Sequence, residues 1–172
     1  LGPIDVLVNN AGVSVGGPVD GDDFEDRWQL AMDVLLTAHQ RMVRACLPDL
    51  RASGEGRIIN ISSTEGLGSQ RGTLPYTAAK HGVIGLTRAL AMDLATDGIT
   101  VNAICPGPIL TGMTELIPEE HREKFARRRT ALRRYGDPEE VAHMVLNLAL
   151  PSSSYVTGTV IPVDGGQTMK ND

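Results

Sequence analysis

The chain has 172 residues, of which 41% are hydrophobic and 22% charged, a composition typical of a globular domain with its own core. Its formal net charge is −5 and no apolar run is long enough to cross a bilayer, so neither nucleic acid nor a membrane is expected as a partner. The two cysteines, Cys46 and Cys105, are far apart and lack metal-ligand spacing, which predicts a reducing, cytoplasmic location without a disulfide framework or a metal site.

The apolar pattern predicts strands that alternate with helices. In chain order the predicted elements are a strand at Ile4–Asn10, a helix at Asp22–Leu50, a strand at Arg57–Ser63, a helix at Tyr76–Ala95, a strand at Ile99–Ile104, helices at Glu119–Arg134 and from Pro138 onward, and a strand in "GTVIPVDGG". Asp137 is the expected N-cap of the last helix, and Pro48 is expected only at the end of the first. Because the strands are apolar on both faces, we predict an α/β fold with a doubly wound parallel sheet of about four strands, in one domain over residues 1–172.

Ligands of such sheets bind in the crevice at the carboxyl ends of the strands. In this chain those ends are Asn9–Gly12, Ser62–Ser63, Pro106–Thr111 and Val163–Gly166. Most of these segments are polar or rich in glycine, so we expect a site for a small molecule along this edge of the sheet.

Tyr76 and Lys80 are four residues apart in "YTAAK", a spacing that places them on one face of a helix. An ammonium beside a phenol favours the phenolate, so we expect Lys80 to lower the pKa of Tyr76 toward neutrality. Ser63, at the end of the preceding strand, is placed to face the same crevice. Each feature has an ordinary alternative, namely a solvated pair on a helix surface for Tyr76 and Lys80 and a strand-end serine for Ser63.

Five segments in this order resemble the carboxyl-terminal two thirds of a classical short-chain dehydrogenase/reductase. They are "VNNAG" (Val8–Gly12), "INISS" (Ile59–Ser63), "YTAAK" (Tyr76–Lys80), "VNAICPGPILT" (Val101–Thr111) and "YVTGTVIPVDGG" (Tyr155–Gly166). The resemblance implies a partial Rossmann-type fold and an oxidoreductase that transfers a hydride between NAD or NADP and a ketone or secondary alcohol. It assigns Tyr76 as the acid/base, Ser63 as the group that orients the substrate oxygen, and Lys80 as the group that lowers the tyrosine pKa and holds the nicotinamide ribose.

The resemblance also implies a set of cofactor contacts. They come from Asn9, Ala11, Gly12, Tyr76, Lys80, Pro106, Gly107, Ile109 and Thr111. By this resemblance Asn9 borders the adenosine and braces the sheet, and the segment after Cys105 passes under the nicotinamide. The alternatives are a strand-end cap for Asn9 and simple turn chemistry for the Pro-Gly pair.

Two departures from the family pattern bear on activity. The family usually has an asparagine where this chain has Leu35, and that asparagine supports a proton relay from the lysine through water. A leucine side chain cannot hydrogen-bond, although its backbone carbonyl could still hold the water if the helix bends there. The family also begins with a strand, a Gly-rich turn and a helix that bind the pyrophosphate, and nothing in this chain matches that unit. We therefore expect the chain to be a fragment or a truncated product.

The segment Met113–Tyr135 is expected to be the lid over the substrate, and it is rich in arginine. These arginines suit either an acidic acyl carrier protein or coenzyme A phosphate, or a solvated helix paired with Glu119, Glu120 and Glu123. A 3-oxoacyl-thioester reductase is therefore one candidate among several ketone reductases. A non-catalytic remnant that only pairs with full-length paralogues is the alternative.

Two long helices, Asp22–Cys46 and Tyr76–Ala95, carry apolar residues beyond one narrow stripe. In the resembling family these helices form a contact between subunits, so we predict a homo-oligomer, either a dimer or a tetramer. The strand at Ile4–Asn9 is also expected to be an unprotected sheet edge that promotes association.

Overall fold

A computed structural model describes residues 2–170, except for the side chain of Met113. Its sheet has four strands: β1 (Val6–Asn9), β2 (Arg57–Ile61), β3 (Thr100–Pro106) and β4 (Val160–Val163). The strands lie in the order β1-β2-β3-β4, and each neighbouring pair is parallel. The predicted α/β class and strand number are confirmed.

Helices follow the strands as the apolar pattern predicts. They are α1 (Phe24–Met32), a π-helical turn (Asp33–Thr37), α2 (Ala38–Ser53), α3 (Leu74–Leu94), α4 (Gly112–Glu115), α5 (Glu119–Arg129) and α6 (Pro138–Ala149). Asp137 and Glu140 form the capping box of α6, as the predicted N-cap requires. The predicted amino end of α6 is therefore correct.

The two sheet faces are covered by different helices, which makes the sheet doubly wound. On one face, α2 and α3 pack on Leu7, Ile58 and Val101, and their contacts include Val43 and Leu94. The other face carries a separate cluster, in which α6 packs on β2, β3 and β4. Side chains alternate along β2 because successive strand residues point to opposite faces, so one strand serves both cores.

Some boundaries differ from the predicted ones for local reasons. The first long helix is interrupted by the π-helical turn at Asp33–Thr37, and it continues past Pro48 to Ser53, where Gly54 ends it with φ 70°. The helix predicted to reach Arg134 ends at Arg129, because Thr130 is extended and Arg133 has a positive φ of 58°. The third strand extends two residues further than predicted, to Pro106.

The predicted sheet edge is present within the described part of the chain. There β1 pairs only with β2, and the side chains of Val6 and Val8 are 39% and 40% exposed. A parallel edge with outward-facing valines presents unpaired backbone groups beside apolar surface, which favours association.

None of the helices within residues 2–170 combines the length and apolarity that crossing a bilayer requires.

The outer face of α3 is smaller than the apolar pattern indicated. Val83, Ile84, Ala91 and Leu94 are buried against the sheet and the loops, so they are not available to a partner. Ile84, only 5% exposed, is therefore a core residue rather than an interface residue. The exposed stripe of α3 consists of His81, Gly85, Arg88, Ala89, Met92 and Asp93.

Candidate active site

A cavity of about 770 Å³ opens at the carboxyl ends of β1, β2 and β3. Among the predicted site residues it is lined by Gly12, Ser63, Tyr76, Lys80, Pro106, Gly107, Ile109 and Thr111. Asn9 and Ala11 are not in its lining. The structure thus brings together residues from four separate segments, as expected where parallel strands end at one sheet edge.

Ser63 follows β2 and Tyr76 lies near the start of α3, and residues 62–73, which include a 3₁₀ turn, join the two elements. Ser63 caps the 3₁₀ turn Thr64–Gly66, and its Oγ accepts a hydrogen bond from the Glu65 backbone N–H at 3.1 Å. Tyr76 lies in the first turn of α3 behind Pro75, a residue suited to that position. Burial raises the pKa of Tyr76, the nearby Glu65 carboxylate adds to this rise, and a hydrogen bond with the Ser63 side chain opposes it.

Lys80 lies one turn further along α3 and is only 4% exposed. Its Nζ donates a hydrogen bond to the Ile61 carbonyl at 2.9 Å and lies 5.6 Å from the centroid of the Tyr76 ring. Burial lowers the pKa of Lys80 to about 8, against a smaller raising effect of Cys105. The ammonium is therefore charged at neutral pH and loses its charge as the pH rises through about 8.

The helix is held against β2 at this point by its backbone. Ser62 Oγ donates to the Lys80 carbonyl at 2.9 Å, and a Cβ on Gly66 would lie 2.9 Å from the same oxygen. Only glycine leaves room for this approach, so Gly66 and Ser62 fix the height of Tyr76 and Lys80 above the sheet.

The net shift of the Tyr76 pKa is upward, opposite to the predicted direction, because the raising effect of burial is the largest contribution. The spacing does place the two residues on one helix face. However, the ammonium is directed at the Ile61 carbonyl and lies over the ring, while burial and Glu65 act on the hydroxyl. A raised pKa keeps Tyr76 protonated at neutral pH, the form that can donate a proton.

Glu65 is a site residue that no motif or spacing in the sequence indicates. It is 8% exposed, and its carboxylate accepts hydrogen bonds from the Gln70 backbone and side chain and from Thr73 and Thr77. This carboxylate organises the loop that forms one cavity wall. A lone acidic residue in a loop carries no sequence signal for such a role.

Leu35 lies inside the π-helical turn and is fully buried. It packs in a small apolar cluster with Ala31 and Ala79, which Tyr76 borders. A Cβ on Gly82 would lie 2.7 Å from Leu36, so glycine at that position lets the turn pack closely on α3. The helix around Leu35 is therefore irregular, because the π-helical turn interrupts the regular α-helical hydrogen bonding there.

His39 is a second buried residue that the sequence reading overlooked. It is 1% exposed, and its Nε2 has no hydrogen-bond partner among the residues that the structure describes. Burial and the charge of Lys80 lower the pKa of His39 to about 4, against a hydrogen bond with the Asn9 backbone that raises it. The sequence feature that could have pointed to His39 is its spacing, because it lies four residues after Leu35 and therefore on the same side of the helix.

The depressed pKa predicts acid sensitivity that depends on His39. Between pH 6.5 and about 4 the unfolded chain binds a proton that the folded chain excludes, so the free energy of unfolding falls as the pH decreases through this range. One pKa unit corresponds to about 1.4 kcal/mol, so the full loss is about 3 kcal/mol. Urea unfolding of His39→Gln between pH 7 and pH 4.5 should show about 2 kcal/mol less acid destabilisation, since part of the loss falls below pH 4.5, whereas the exposed His143→Gln control should behave like the parent chain.

Asn9 acts as a brace in the structure. Its Nδ2 donates to Asn60 Oδ1 at 2.8 Å, and Asn60 Nδ2 donates to Thr87 Oγ1 at 2.9 Å, so a buried chain of hydrogen bonds links β1, β2 and α3. This geometry matches the bracing part of the prediction, and the exposed Ala11 follows at the rim.

Thr111, expected near the nicotinamide, also caps α4 in a capping box with Thr114.

The residues present fit the nicotinamide half of a dinucleotide. A lysine ammonium, a tyrosine hydroxyl and a threonine hydroxyl surround an apolar wall from Pro106 to Ile109, a donor set suited to a ribose and an aromatic carboxamide. The fourth strand end, predicted to share this site, does not line the cavity. Instead, Asp164 accepts hydrogen bonds from the Gly166 and Thr168 backbone and closes its own turn.

Some arginines of the segment after β3 form ion pairs with glutamates, as expected if this segment is a solvated helix. Arg127 lies 3.7 Å from Glu123, with both side chains largely exposed. Arg134 forms a two-pronged pair with Glu140, a partner outside the predicted set. Arg128 and Arg129 line a second cavity of about 550 Å³ beside the first, together with Glu65 and Gln70.

No group of His, Cys, Asp or Glu within residues 2–170 is arranged to hold a metal ion.

Comparison with known proteins gives a consistent result. The profile of the family described as "Enoyl-(Acyl carrier protein) reductase" matches residues 1–168. The chain is 43% identical over 168 residues to meso-2,3-butanediol dehydrogenase of Serratia marcescens, covering 98% of this chain and 66% of that protein. It is 44% identical over 165 residues to 3-oxoacyl-[acyl-carrier-protein] reductase FabG of Thermotoga maritima, covering 96% and 66%.

A solved structure shows the same architecture. A protein from Agrobacterium tumefaciens, provisionally assigned as a 2-deoxy-D-gluconate 3-dehydrogenase and solved with bound NADP, aligns with TM-score 0.89 and 38% identity. The alignment covers 96% of this chain and 68% of that one. The chain thus spans about two thirds of the length of these relatives.

Proposed function

The chain belongs to the short-chain dehydrogenase/reductase family, and from this membership we propose that it supplies the catalytic part of an NAD- or NADP-dependent oxidoreductase acting on a ketone or secondary alcohol. The observation that carries the proposal is the convergence of Ser63, Tyr76 and Lys80 on one cavity at the carboxyl edge of the sheet. Residues 1–172 would act as one domain, in a cytoplasmic protein.

The proposed chemistry follows from the protonation states of these groups. The substrate carbonyl oxygen would lie between the Ser63 and Tyr76 hydroxyls, with Ser63 orienting it and Tyr76 donating a proton as the oxygen gains charge. The raised pKa of Tyr76 keeps it protonated for reduction at neutral pH. The Lys80 ammonium, above the ring, would stabilise the tyrosinate that this transfer leaves.

The cofactor would supply the hydride to the substrate carbon. Lys80 and Tyr76 would contact its ribose, and the wall from Pro106 to Thr111 would hold the nicotinamide carboxamide, with Gly12 and Ala11 at the rim and Asn9 toward the adenosine side. This arrangement would hold the nicotinamide half of the dinucleotide.

The test is cofactor-dependent ketone reduction. The chain, joined to the amino-terminal third that its relatives carry, is expected to oxidise NADH or NADPH only when a small ketone such as a diketone or a 3-oxo ester is present. Titration of NADH and NADPH, followed by nicotinamide fluorescence, measures binding separately. Binding without turnover across a ketone panel, or no binding, would favour the non-catalytic remnant that pairs with full-length paralogues.

A 3-oxoacyl thioester is a second candidate substrate class, supported by Arg128 and Arg129 along the second cavity. Guanidinium groups at that position would suit the phosphates of a thioester carrier, and the Thermotoga maritima relative is named for such a substrate. Replacing both arginines by glutamine should raise KM for acetoacetyl-CoA but not for a small 3-oxo ester. Equal effects on both substrates would remove this assignment.

We also propose a homo-oligomer, a dimer or tetramer, that uses the exposed stripe of α3. Met92 is 82% exposed there, while Gly85 and Ala89 present little side-chain bulk, so a second helix could approach closely. Met92→Glu should lower the mass measured by light scattering at micromolar concentration. Leu116→Glu is the matched control, because Leu116 is 87% exposed but lies after α4. A monodisperse monomer in the parent chain would contradict both the oligomer and association through the β1 edge.

A further inference from the structure

Glu65 lies between the two hydroxyl groups that would contact the substrate oxygen. It follows Ser63 by two residues, and its backbone N–H donates to Ser63 Oγ at 3.1 Å. Its side chain lines both cavities, although the residue is only 8% exposed. Burying a carboxylate costs free energy unless polar groups surround it, so the contacts of this carboxylate indicate what it does.

The carboxylate contacts both ends of the first turn of α3. Thr73 Oγ1 and Thr77 Oγ1 lie 3.2 and 3.3 Å from Glu65 Oε2, and 2.9 Å from each other. Thr73 is the N-cap residue of α3 and Thr77 directly follows Tyr76, so the two contacts enclose the turn that carries the phenol. Gln70 completes the set, because its backbone N–H donates to Oε2 at 2.9 Å and its side-chain amide to Oε1 at 2.7 Å.

These contacts take the place of an ordinary helix cap. The Thr73 side chain makes no capping hydrogen bond with the α3 backbone, and such a bond typically contributes about 1 kcal/mol to a helix start. The start of α3 is held instead by a side chain from the turn after β2. Glu65 therefore connects the strand end that carries Ser63, through its backbone, with the helix turn that carries Tyr76, through its carboxylate.

We propose that Glu65 is a positioning residue of this site, which holds the Tyr76 hydroxyl at a fixed distance and direction from the Ser63 hydroxyl. The proposal rests on the proposed function, because it explains how the two groups that act on the substrate oxygen are kept together. A carboxylate that only stabilised the loop would leave the rate of a folded variant unchanged.

The charge of Glu65 has a second effect that can be measured separately. Burial raises the pKa of Tyr76 most, and the Glu65 carboxylate raises it further. The opposite charge facing the ring is the Lys80 ammonium on α3, while Arg128 and Arg129 share the second cavity with Glu65. Alcohol oxidation needs the tyrosinate as base, so its rate should rise with pH, and removing the carboxylate charge should move that rise to lower pH.

The first arm of the test compares two Glu65 variants of the chain joined to the amino-terminal third of its relatives. Glu65→Ala should lower kcat for ketone reduction by between about tenfold and 10²-fold, the cost of a small misplacement, with KM for the cofactor unchanged. Glu65→Gln retains the length and an acceptor oxygen, so it should keep most of the reduction rate. The same glutamine variant should move the pH profile of alcohol oxidation to lower pH, because it lacks the charge.

The second arm removes the contacts and keeps the charge. The double variant Thr73→Val/Thr77→Val retains the side-chain shape without the hydroxyls, so it should reproduce the loss in kcat without moving the oxidation profile. Thr96→Val is the matched control, because Thr96 is exposed and lines neither cavity, and it should keep the parent rate. Urea unfolding establishes that each variant is folded under assay conditions. If Glu65→Ala does not fold, the glutamine and double valine variants carry the test.

Parent kcat in a folded Glu65→Ala enzyme, or in the double valine variant, would overturn the positioning role. Equal losses in the alanine and glutamine variants, with an unmoved oxidation profile, would overturn it as well. The proposed function is judged separately. Its failure appears as turnover that persists in Tyr76→Phe, whereas failure of the positioning role leaves Tyr76→Phe inactive and Glu65→Ala as fast as the parent.

Discussion

Replacing Tyr76 by phenylalanine is expected to abolish turnover of the protein joined to the amino-terminal third of its relatives while leaving cofactor binding nearly intact. Only the hydroxyl is removed, and the ring that lies under Lys80 is retained. Loss of a general acid typically costs about 10²–10⁴-fold in rate. Initial rates with a saturating ketone, together with cofactor titration by fluorescence, measure the two effects independently.

Tyr155→Phe is the matched control, because Tyr155 is fully exposed and does not line the cavity. It should retain the parent rate. A Tyr76→Phe enzyme within twofold or threefold of the parent would show that the hydroxyl is not the proton donor. A Ser63→Ala variant with an intermediate rate would support the division of roles, since Ser63 orients the oxygen and does not protonate it.

Much of the fold follows from patterns that act over a few residues. Apolar strands at Ile4–Asn10 and Arg57–Ser63, glycine breaks and the Asp137 cap each depend on local physics, and the structure has those elements with ends shifted by up to a few residues. The π-helical turn at Asp33–Thr37 could not be read the same way, because it depends on how closely the helix packs on Gly82 of α3.

Residue positions in the candidate site could be predicted where one motif places the residues on a single helix. The pKa shifts could not be predicted, because they depend on how deeply each group is buried in the folded chain. Tyr76 and Lys80 lie on one helix, so their spacing placed them correctly. The direction of the Tyr76 pKa shift depends instead on how deeply the ring is buried and on Glu65 from another turn. His39 likewise acquires its properties from Asn9 and Lys80, which are distant in sequence.

Replacing Lys80 is expected to reduce both turnover and cofactor affinity, because this residue has two proposed contacts. Lys80→Met retains the buried stem and removes the charge, and Lys80→Ala also removes the packing. In the parent enzyme the reduction rate should fall as the pH rises through about 8, where the ammonium deprotonates, and this inflection should disappear in Lys80→Met. Rates between pH 6 and pH 10 and cofactor titration at each pH provide the measurement.

Two comparisons separate charge from folding in this experiment. Lys124→Met removes a lysine from the exposed surface of α5, so it should preserve the inflection, the affinity and the rate. Both Lys80 variants leave the Ile61 carbonyl without its donor, which typically costs about 1–3 kcal/mol, so urea unfolding must accompany the kinetics. Unchanged cofactor affinity in a folded Lys80→Met enzyme would remove the ribose contact. An inflection near pH 8 that persists in it would assign that titration to a group other than Lys80.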